Sequence, residues 1–363
     1  MKKYLDVNGI TSLYKIIMGK VDDMLNEKLQ LLLTPSTRPL TFEVLENGSF
    51  GFITEGTPTG SVSYSLDYGT TWTTLSAGSS TPTIPAGSKV LWKGNYKGID
   101  EDNFSRFGST GKFNVSGNIM SLIYGDDFKD KTDLTGSDFC FNGLFYECSN
   151  LIDASSLALP ATTLADSCYS YMFQSCTSLT TAPKLPATTL TNDCYQYMFQ
   201  ECSSLTTAPE LPATTLANYC YSGMFSGCTS LTTAPALPVT TLADSCYNGM
   251  FSGCSSLTTA PELPATKLAS ECYNTMFSGC TSLTAAPELP ATTLANYCYQ
   301  YMFYKCSNLN YIKALFTTTP GSSYTSNWVS GVSKTGTFVK NAAATWNVTG
   351  NNGIPTGWTV ETA

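Results

Sequence analysis

Cysteine is the residue type whose number and spacing most invite a chemical role in this chain. The 363 residues include 14 cysteines, which alternate at spacings of 8 and 18 residues along most of the second half. A Cys-x7-Cys spacing does not match zinc ligands, and the chain has no histidine to complete a metal site. Two residues eight apart on a helix lie about 12 Å apart, which is too far for a disulfide. We therefore predict buried, reduced thiols; the alternative is bridges between repeats, which would need an oxidising compartment and a different backbone.

The absence of histidine also narrows the possible enzyme classes. It excludes Ser-His-Asp and Cys-His catalysis and the usual general base near neutral pH. A glycan-active enzyme would need a convergent pair of carboxylates, and the sequence presents none. The acidic pair Asp126–Asp127 lacks the alternating spacing of a calcium loop and is interpreted as a solvated turn. We predict no catalytic residue, no cofactor and no metal.

Charge and hydropathy limit the partners. The net charge is −8, and the 19 lysines and arginines are scattered, whereas binding to nucleic acid needs clustered cations. No apolar run approaches the ~20 residues of a membrane span. Asp6 and Asn8 interrupt the stretch that could form a secretion signal. We expect a chain that is made and folded in a cytoplasm, with no nucleic-acid partner and no membrane insertion.

Residues 1–34 are predicted to form a helical attachment or oligomerisation segment. Residues 11–33 contain no proline and one glycine, and their apolar residues form two neighbouring stripes. A helix with two apolar stripes needs more than one neighbour, so both a bundle of copies and packing on the chain's own next domain fit the pattern. The candidate residues are Tyr4, Leu5, Tyr14, Ile17, Met18, Val21 and Leu25.

Residues 35–100 switch to the two-residue period of strands and predict a small β-sandwich or barrel of about six strands. Asn47–Gly48, between alternating apolar residues at 42–44 and 50–52, predicts a hairpin. Residues 101–139 are a junction and N-terminal cap, in which residues 113–124 predict a strand or two that cover the first repeat.

Residues 65–72 fit the pattern Ser-x-Asp-x-Gly-x-Thr-Trp, which resembles the Asp box of sialidases and other β-proteins. The motif carries no catalytic residue there. We interpret it as a structural turn in which Asp67 accepts backbone N–H groups, Gly69 supplies a positive φ and Trp72 packs beneath.

A 26-residue repeat dominates the rest of the chain. Near-identical units begin at six cysteines, and a divergent copy with two extra residues precedes them at Cys140; the six are Cys168, Cys194, Cys220, Cys246, Cys272 and Cys298. The unit reads Cys-Tyr-x-x-Met-Phe-x-x-Cys-x-Ser-Leu-Thr-Thr-Ala-Pro-x-Leu-Pro-Ala-Thr-Thr-Leu-Ala-x-x. The first nine positions predict a short helix, and the proline-containing part predicts extended chain. Because one unit cannot bury its apolar face alone, the units must stack.

The predicted fold is therefore an α/β repeat solenoid, leucine-rich-repeat-like, with seven 26-residue rungs over residues 140–316, preceded by an N-terminal helix and a small all-β domain. Helices need about twice the spacing between rungs that strands need, so we expect curvature with the strands inside. Residues 317–363 are the expected C-terminal cap.

The repeat Phe-x-x-Cys-x-Ser-Leu-Thr resembles the BspA-like class of bacterial leucine-rich repeats. The variety with Leu-Pro-Ala-Thr-Thr-Leu-Ala is similar to repeats of gut Bacteroides and their phages, and residues 327–338 and 353–358 resemble a terminal cap of that class. This resemblance covers roughly residues 113–360 and implies adhesion to host or bacterial surfaces. Separately, residues 3–17 resemble a short opening segment of phage tail and baseplate proteins, although Tyr14 stands where tryptophan is common.

Positions that differ between rungs are candidates for ligand contacts, because the core does not dictate them and we expect them to face solvent. One such column holds Tyr171, Tyr197, Gly223, Gly249, Thr275 and Tyr301, and another holds Lys184, Glu210, Ala236, Glu262 and Glu288. A tyrosine offers a flat apolar face and a polar tip that can stack on a sugar ring. The candidate ligand-binding residues are Tyr171, Tyr197, Tyr219, Tyr297 and Tyr301; ordinary exposed residues are the alternative. The tyrosine after each first cysteine is expected in the core.

Together these features predict a non-enzymatic virion protein of a phage of gut bacteria. Residues 1–34 would join other tail or baseplate proteins as a homo-oligomer, the β-domain would act as a spacer, and the repeats would bind a bacterial surface glycan or protein. A BspA-like bacterial surface adhesin is the alternative and would need an export route. A glycan-active enzyme is a third.

Overall fold

The computed structural model describes residues 18, 35–54, 60–76, 78–96, 100 and 103–363. The predicted attachment helix therefore lies outside the described residues, apart from Met18. The other candidate residues that lie outside are Tyr4, Leu5, Tyr14, Ile17, Val21 and Leu25. No helix in the described ranges is long and apolar enough to cross a membrane.

The regular elements are short and lie mainly at the two ends of the described chain. They are β1 (Leu40–Val44), β2 (Phe50–Thr54), β3 (Val62–Ser65), β4 (Thr73–Leu75), β5 (Lys89–Gly94), β6 (Ser105–Ser109), β7 (Phe113–Asn118), α1 (Ser121–Tyr124), β8 (Leu151–Ala158), β9 (Tyr311–Ala314), β10 (Thr337–Lys340) and β11 (Thr359–Thr362). Single turns of 3₁₀ helix cover Pro35–Thr37 and Gly125–Asp127.

Two sheets enclose an aromatic core in the N-terminal part. The larger sheet has the order β4-β3-β5-β1-β7-β8, and β2 pairs with β6 in the smaller one. The ring of Phe42 packs edge-on against Phe107, with 4.9 Å between centroids, and 5.3 Å from Trp92. Burial of these large rings supplies most of the hydrophobic stabilisation available to so small a unit.

The hairpin predicted at Asn47–Gly48 is wrong. β1 and β2 lie in different sheets, so the chain turns a corner between them. A Cβ atom at Gly48 would lie 2.6 Å from the backbone nitrogen of Gly111, so glycine is needed there for close backbone approach rather than for a hairpin turn. The two-residue alternation itself predicted burial correctly, because Phe42 and Phe50 are buried on the two facing sheets.

The larger sheet continues into the repeats. β7 pairs in parallel with β8, which belongs to the first rung. The ring of Phe145 stacks on Phe107 at 5.8 Å on one side and on Phe173 at 5.3 Å on the other. The N-terminal part therefore covers the open apolar end of the repeat stack.

The helices predicted in the rungs are absent. From its first to its second cysteine each rung forms consecutive turns, here named the turn ribbon, in which alternate N–H groups donate three residues back, as Ser170 does to Ser167 at 3.2 Å. The N–H groups between them donate to the next rung, as Tyr171 does to the Gln196 carbonyl at 2.9 Å. A helix would need all of these donors to reach four residues back along the same segment. The α part of the predicted α/β class is therefore wrong.

The turn side of the stack has a uniform, small spacing between rungs. The stacked phenylalanines lie 5.3 to 5.8 Å apart between centroids, and the rings of the column that Phe141 and Tyr169 begin lie 5.6 to 6.1 Å apart. On the other side, single parallel bridges join threonines of neighbouring rungs, such as Thr181 with Thr207. Curvature was predicted from a twofold difference in spacing, and that premise is wrong because no rung contains a helix.

The C-terminal cap contains one more winding of the turn ribbon. The N–H groups of Tyr301 and Phe303 donate to Ser326 and Trp328, both at 2.8 Å, which is the pattern of a regular rung. This winding has no cysteine, so the spacing of cysteines did not reveal it. The parallel sheet β9-β10-β11 closes the other side of the same end.

All 14 cysteines are free and buried. The second cysteine of a regular rung donates its thiol to a phenylalanine carbonyl of the rung before it, as Cys228 does to Phe199 at 3.1 Å. Buried polar groups are stabilised when they find such a partner. All the thiols therefore pack as small apolar groups, and in the second cysteine of each regular rung the weak donor is also satisfied.

Candidate functional site on the turn face

Each turn ribbon has inward positions that repeat and outward positions that vary. Rungs one to seven begin at Cys140, Cys168, Cys194, Cys220, Cys246, Cys272 and Cys298, and positions are counted from that cysteine as zero. Positions 0, +1, +4, +5 and +8 of rungs two to seven are at most 1% exposed. Positions −1, +2, +3, +6 and +7 vary between rungs, and together they form what we name the turn face. The variable residues of the turn ribbon are thus collected on one surface.

Three of these five positions have a left-handed backbone. Positions −1, +3 and +7 have φ between +51° and +76° in all seven rungs. This conformation every fourth residue lets successive N–H groups alternate between bonds within the rung and bonds to the next one. Glycine adopts it freely, whereas other residues pay about 1–2 kcal/mol because Cβ crowds the following carbonyl.

All five tyrosines predicted to bind a ligand occupy these left-handed positions. Tyr171, Tyr197 and Tyr301 are at +3, and Tyr219 and Tyr297 are at −1. Glycine fills +3 in other rungs, for example Gly223 and Gly249, so the fold does not require a side chain there. A bulky residue held in a costly conformation that the scaffold does not need suggests a role at the surface.

The five tyrosines do not form one cluster. Tyr171 stacks on Tyr197 with 5.2 Å between centroids, and the ring of Tyr197 covers Gly223. Tyr301 packs edge-on against Tyr304 at 5.5 Å, and its hydroxyl lies 3.4 Å from the Asn327 amide nitrogen.

Tyr219 and Tyr297 are each 42% exposed, and among the described residues they stack on no other ring. Tyr171, Tyr197 and Tyr301 are half-buried, and Gly223 and Gly249 in the same column are buried, so this column faces solvent less than the sequence predicted. The exposed tyrosines of the turn face are therefore those at position −1.

A network of polar side chains lies between the two groups of tyrosines. Asn248 donates to a Glu271 carboxylate oxygen at 3.5 Å and accepts from the Thr275 hydroxyl at 3.2 Å. One rung further, Asn274 donates to the Gln300 side-chain oxygen at 3.2 Å. These residues were not among the predicted ligand contacts, because the prediction rested on position +3 and not on position +2, where serine in some rungs gives way to asparagine and glutamine.

The Asp and Asn residues at position −2 have a structural role. Asp166 Oδ1 accepts the backbone N–H of Asn192 at 3.0 Å, and Asp244 Oδ1 accepts that of Ser270 at 3.0 Å. Each such side chain satisfies a donor of the next rung that the ribbon leaves unpaired. These carboxylates are therefore engaged by the fold.

The second variable column lies on the proline-containing side of the rungs. Its five residues are exposed as predicted: Lys184, Glu210, Ala236, Glu262 and Glu288. Glu262 stands in open grooves between prolines of successive rungs, and Glu288 forms an ion pair with Lys313 at 2.9 Å. No aromatic group of the turn face lines these grooves.

The Asp-box motif is a turn, as its sequence predicted. Asp67 accepts the backbone N–H of Thr71 at 2.8 Å, Gly69 has φ +90°, and the Trp72 indole donates to the Gly69 carbonyl at 3.1 Å. Hydrogen bonds from the Thr71 hydroxyl and N–H, and from Ser65, lower the pKa of Asp67 to about 2. The carboxylate is held by its own turn.

Among the described residues, no group of three or more Cys, Asp or Glu side chains is placed to hold a metal ion. Burial raises the pKa of the thiols, to about 12 for Cys246 and Cys254, so they are poor nucleophiles. What the turn face offers chemically is aromatic surface, amides, hydroxyls, four carboxylates and one lysine, which are groups for binding.

A family model described as BspA type leucine-rich repeat region matches six copies over residues 141–258 and 243–325. The matched ranges cover just over half of the chain. The chain belongs to the BspA-type leucine-rich repeat family. This repeat type is characteristic of surface, adhesin-like proteins, and it accounts for the rungs that carry the turn face. No curated protein and no solved structure matches the chain.

Proposed function

We propose that this BspA-type repeat protein is a non-enzymatic attachment protein whose turn face binds a bacterial surface. The observation that carries the proposal is the set of five tyrosines at left-handed positions, three of which lie at position +3, where other rungs have glycine. The core does not need these rings, and the backbone is destabilised by them. Contact with a partner is the role that accounts for their presence.

We also propose that the protein is carried on a phage particle. Residues 1–34 would attach it, as a homo-oligomer, to tail or baseplate proteins. The support is the resemblance of residues 3–17 to the opening of such proteins, a stretch that the family match does not cover. A bacterial surface adhesin is the second candidate, favoured by the repeat family itself.

Binding of the labelled full chain to cells of gut Bacteroides strains tests the attachment role. We expect the triple variant Tyr171→Gly, Tyr197→Gly, Tyr301→Gly to bind a recognised strain at least ~10-fold more weakly, since buried tyrosines dominate many interfaces. The matched control changes Thr206, Thr232 and Thr258, exposed on the other side of the stack, to alanine and should bind normally. Unchanged binding by the glycine variant would contradict the proposal.

Mass spectrometry distinguishes a phage virion protein from a bacterial surface adhesin. If the protein is carried on a phage, purified phage particles contain this chain at a copy number set by the symmetry of the tail. If the chain is instead found on intact bacterial cells and is missing from particles, the adhesin reading replaces it.

A further inference from the structure

Rungs five to seven carry amide side chains at the same position of three successive turns. Position +2 holds Asn248, Asn274 and Gln300, whereas rungs two and four have the small residues Ser170 and Ser222 there. Rung spacing in this part is 5.8 Å between ring centroids, so the three amides extend over about 12 Å. Rungs one and three also carry amides at position +2, Asn142 and Gln196, but only in rungs five to seven do three such side chains follow one another.

The hydrogen bonds among these side chains fix their orientation and leave part of each group unused. Asn248 is held by Glu271 and Thr275, and Asn274 is held by Gln300. The amide oxygen of Asn274 and the amide nitrogen of Gln300 have no partner among the described residues. An amide tied down at one end and open at the other is a preorganised donor or acceptor, which lowers the entropic cost of binding.

Aromatic surface and a hydroxyl adjoin the amides. The Thr275 hydroxyl lies beside the buried Gly249, 3.3 Å from where a Cβ atom of that residue would be. The half-buried Tyr301 and the 42% exposed Tyr297 lie in the next rungs along the same face. We name this area the amide recess, formed by Asn248, Glu271, Asn274, Thr275, Gln300, Tyr297 and Tyr301.

We propose that the amide recess binds a neutral, hydroxyl-rich glycan, an inference that rests on the attachment function proposed for the turn face. Sugar hydroxyls both donate and accept, which suits a set of amides, a hydroxyl and a carboxylate. The C–H face of a sugar ring packs on a tyrosine ring.

Charge selects among glycans. Glu271 is the only charged member of the recess, and Asp244 is exposed in the preceding rung, so an anionic polysaccharide is repelled. The nearest cation along the face, Lys305, lies over the ring of Tyr304 at 5.0 Å. A protein partner would need a larger dehydrated apolar centre than the recess provides.

Isothermal titration of the full chain with polysaccharides tests the inference. The probes are mannan, dextran and xylan as neutral glycans, and polygalacturonate and hyaluronate as acidic ones. We expect binding to at least one neutral glycan and none to the acidic pair. The variant Asn274→Ala, Gln300→Ala should bind at least ~10-fold more weakly, because it removes hydrogen bonds that the ligand would otherwise make. Gln196→Ala, the same column in rung three, is the matched control, and thermal melting confirms that each variant is folded.

The outcomes separate this inference from the function on which it rests. If the chain adheres to cells but binds no neutral glycan, the proposal of a glycan-binding recess is wrong and the attachment function still holds. Equal weakening by Gln196→Ala, or preference for the acidic probes, also overturns the recess. Glycan binding that depends on Asn274 and Gln300 in a chain that adheres to no cell upholds the recess and overturns the attachment function.

Discussion

The inward and outward positions of the turn ribbon differ in how far their residues vary between rungs, although both kinds of position occur within the same short segment. Inward positions repeat the same residue in rungs two to seven, and their rings stack with interplanar angles of 2° to 10°. Outward positions range from glycine to tyrosine and glutamate, and three of the five, −1, +3 and +7, have a positive φ. The repeats thus fix the backbone conformation of the turn face, whereas the side chains that it presents can vary from rung to rung.

The N-terminal sheets show why the inward columns are so uniform. There the ring of Phe42 meets its neighbours at 43° to 81°, as rings do in an irregular core. Rungs related by a simple translation place equivalent rings parallel, and a residue of different size would disturb two neighbours at once. A regular stack therefore tolerates substitutions only at positions whose side chains do not pack in the core against the equivalent side chains of neighbouring rungs.

The largest expected effect is on the inward thiols, at alkaline pH. Unfolded cysteines lose their protons near pH 9, whereas burial raises the folded pKa to about 12 at Cys148, Cys246 and Cys306. Above pH 9 the unfolded state therefore binds fewer protons, and stability falls as pH rises. Each thiol lowers the free energy of unfolding by about 1.4 kcal/mol per pH unit, so 14 thiols lower it by up to about 20 kcal/mol per unit. Unfolding followed by circular dichroism should show cooperative loss of structure between pH 9 and 11.

Thiol counting provides the control. Under non-reducing conditions a denatured chain should titrate about 14 thiols, and a native chain at pH 7 very few. A denatured count near zero would mean bridged cysteines, and the alkaline transition would then lose its explanation.

Phe225→Ala tests the inward packing directly. Its ring stacks on Phe199 at 5.7 Å and Phe251 at 5.8 Å, and the side chain is fully buried. We expect a loss of about 3–5 kcal/mol in the free energy of unfolding by urea, from lost burial and the cavity left behind. Tyr219→Ala, an exposed aromatic of the same rung, should change it by less than about 1 kcal/mol. Similar losses in both variants would remove the distinction between the two kinds of position.

Two glycines at position +3, Gly223 and Gly249, allow a matched comparison of substitutions. Gly223 and Gly249 have φ of +61° and +62°, but a Cβ at Gly223 would fall within the ring of Tyr197. Gly249→Ala should cost only the left-handed conformation, about 1 kcal/mol. Gly223→Ala should lower the free energy of unfolding by urea more than Gly249→Ala does. This additional loss should disappear when Gly223→Ala is combined with Tyr197→Ala. If the additional loss remains in the double variant, the strain does not come from contact with the Tyr197 ring.

The smallest expected effect on stability is that of Tyr297→Gly. Relief of the left-handed conformation, about 1–2 kcal/mol, is largely offset by the greater chain entropy of glycine when unfolded. The free energy of unfolding should stay within about 1 kcal/mol of the parent. Tyr297→Ala keeps the strained backbone without the ring and should be no more stable than Tyr297→Gly. If the alanine variant is clearly the more stable of the two, the left-handed backbone costs less free energy than the chain entropy of glycine.

The predictions that succeeded from sequence concern residues set by repetition. The buried tyrosine column, the buried thiols and the exposed second column were all expected, because a period of 26 residues shows which positions never change. The Asp-box turn followed from local chemistry alone. The rung helices and the hairpin at Asn47–Gly48 failed, because both depend on where backbone donors find partners in other segments.

The sequence by itself determined the period and the inward set, since identical residues 26 apart must stack to bury their apolar faces. It could not determine the backbone of the turn ribbon. Inward residues at 0, +4, +5 and +8 suit a helix and also a chain of turns with a four-residue period. Only the tertiary structure decided between them, because half of the N–H groups bond to a neighbouring rung. The same contacts between rungs decided which outward residues meet, and so assembled the amide recess.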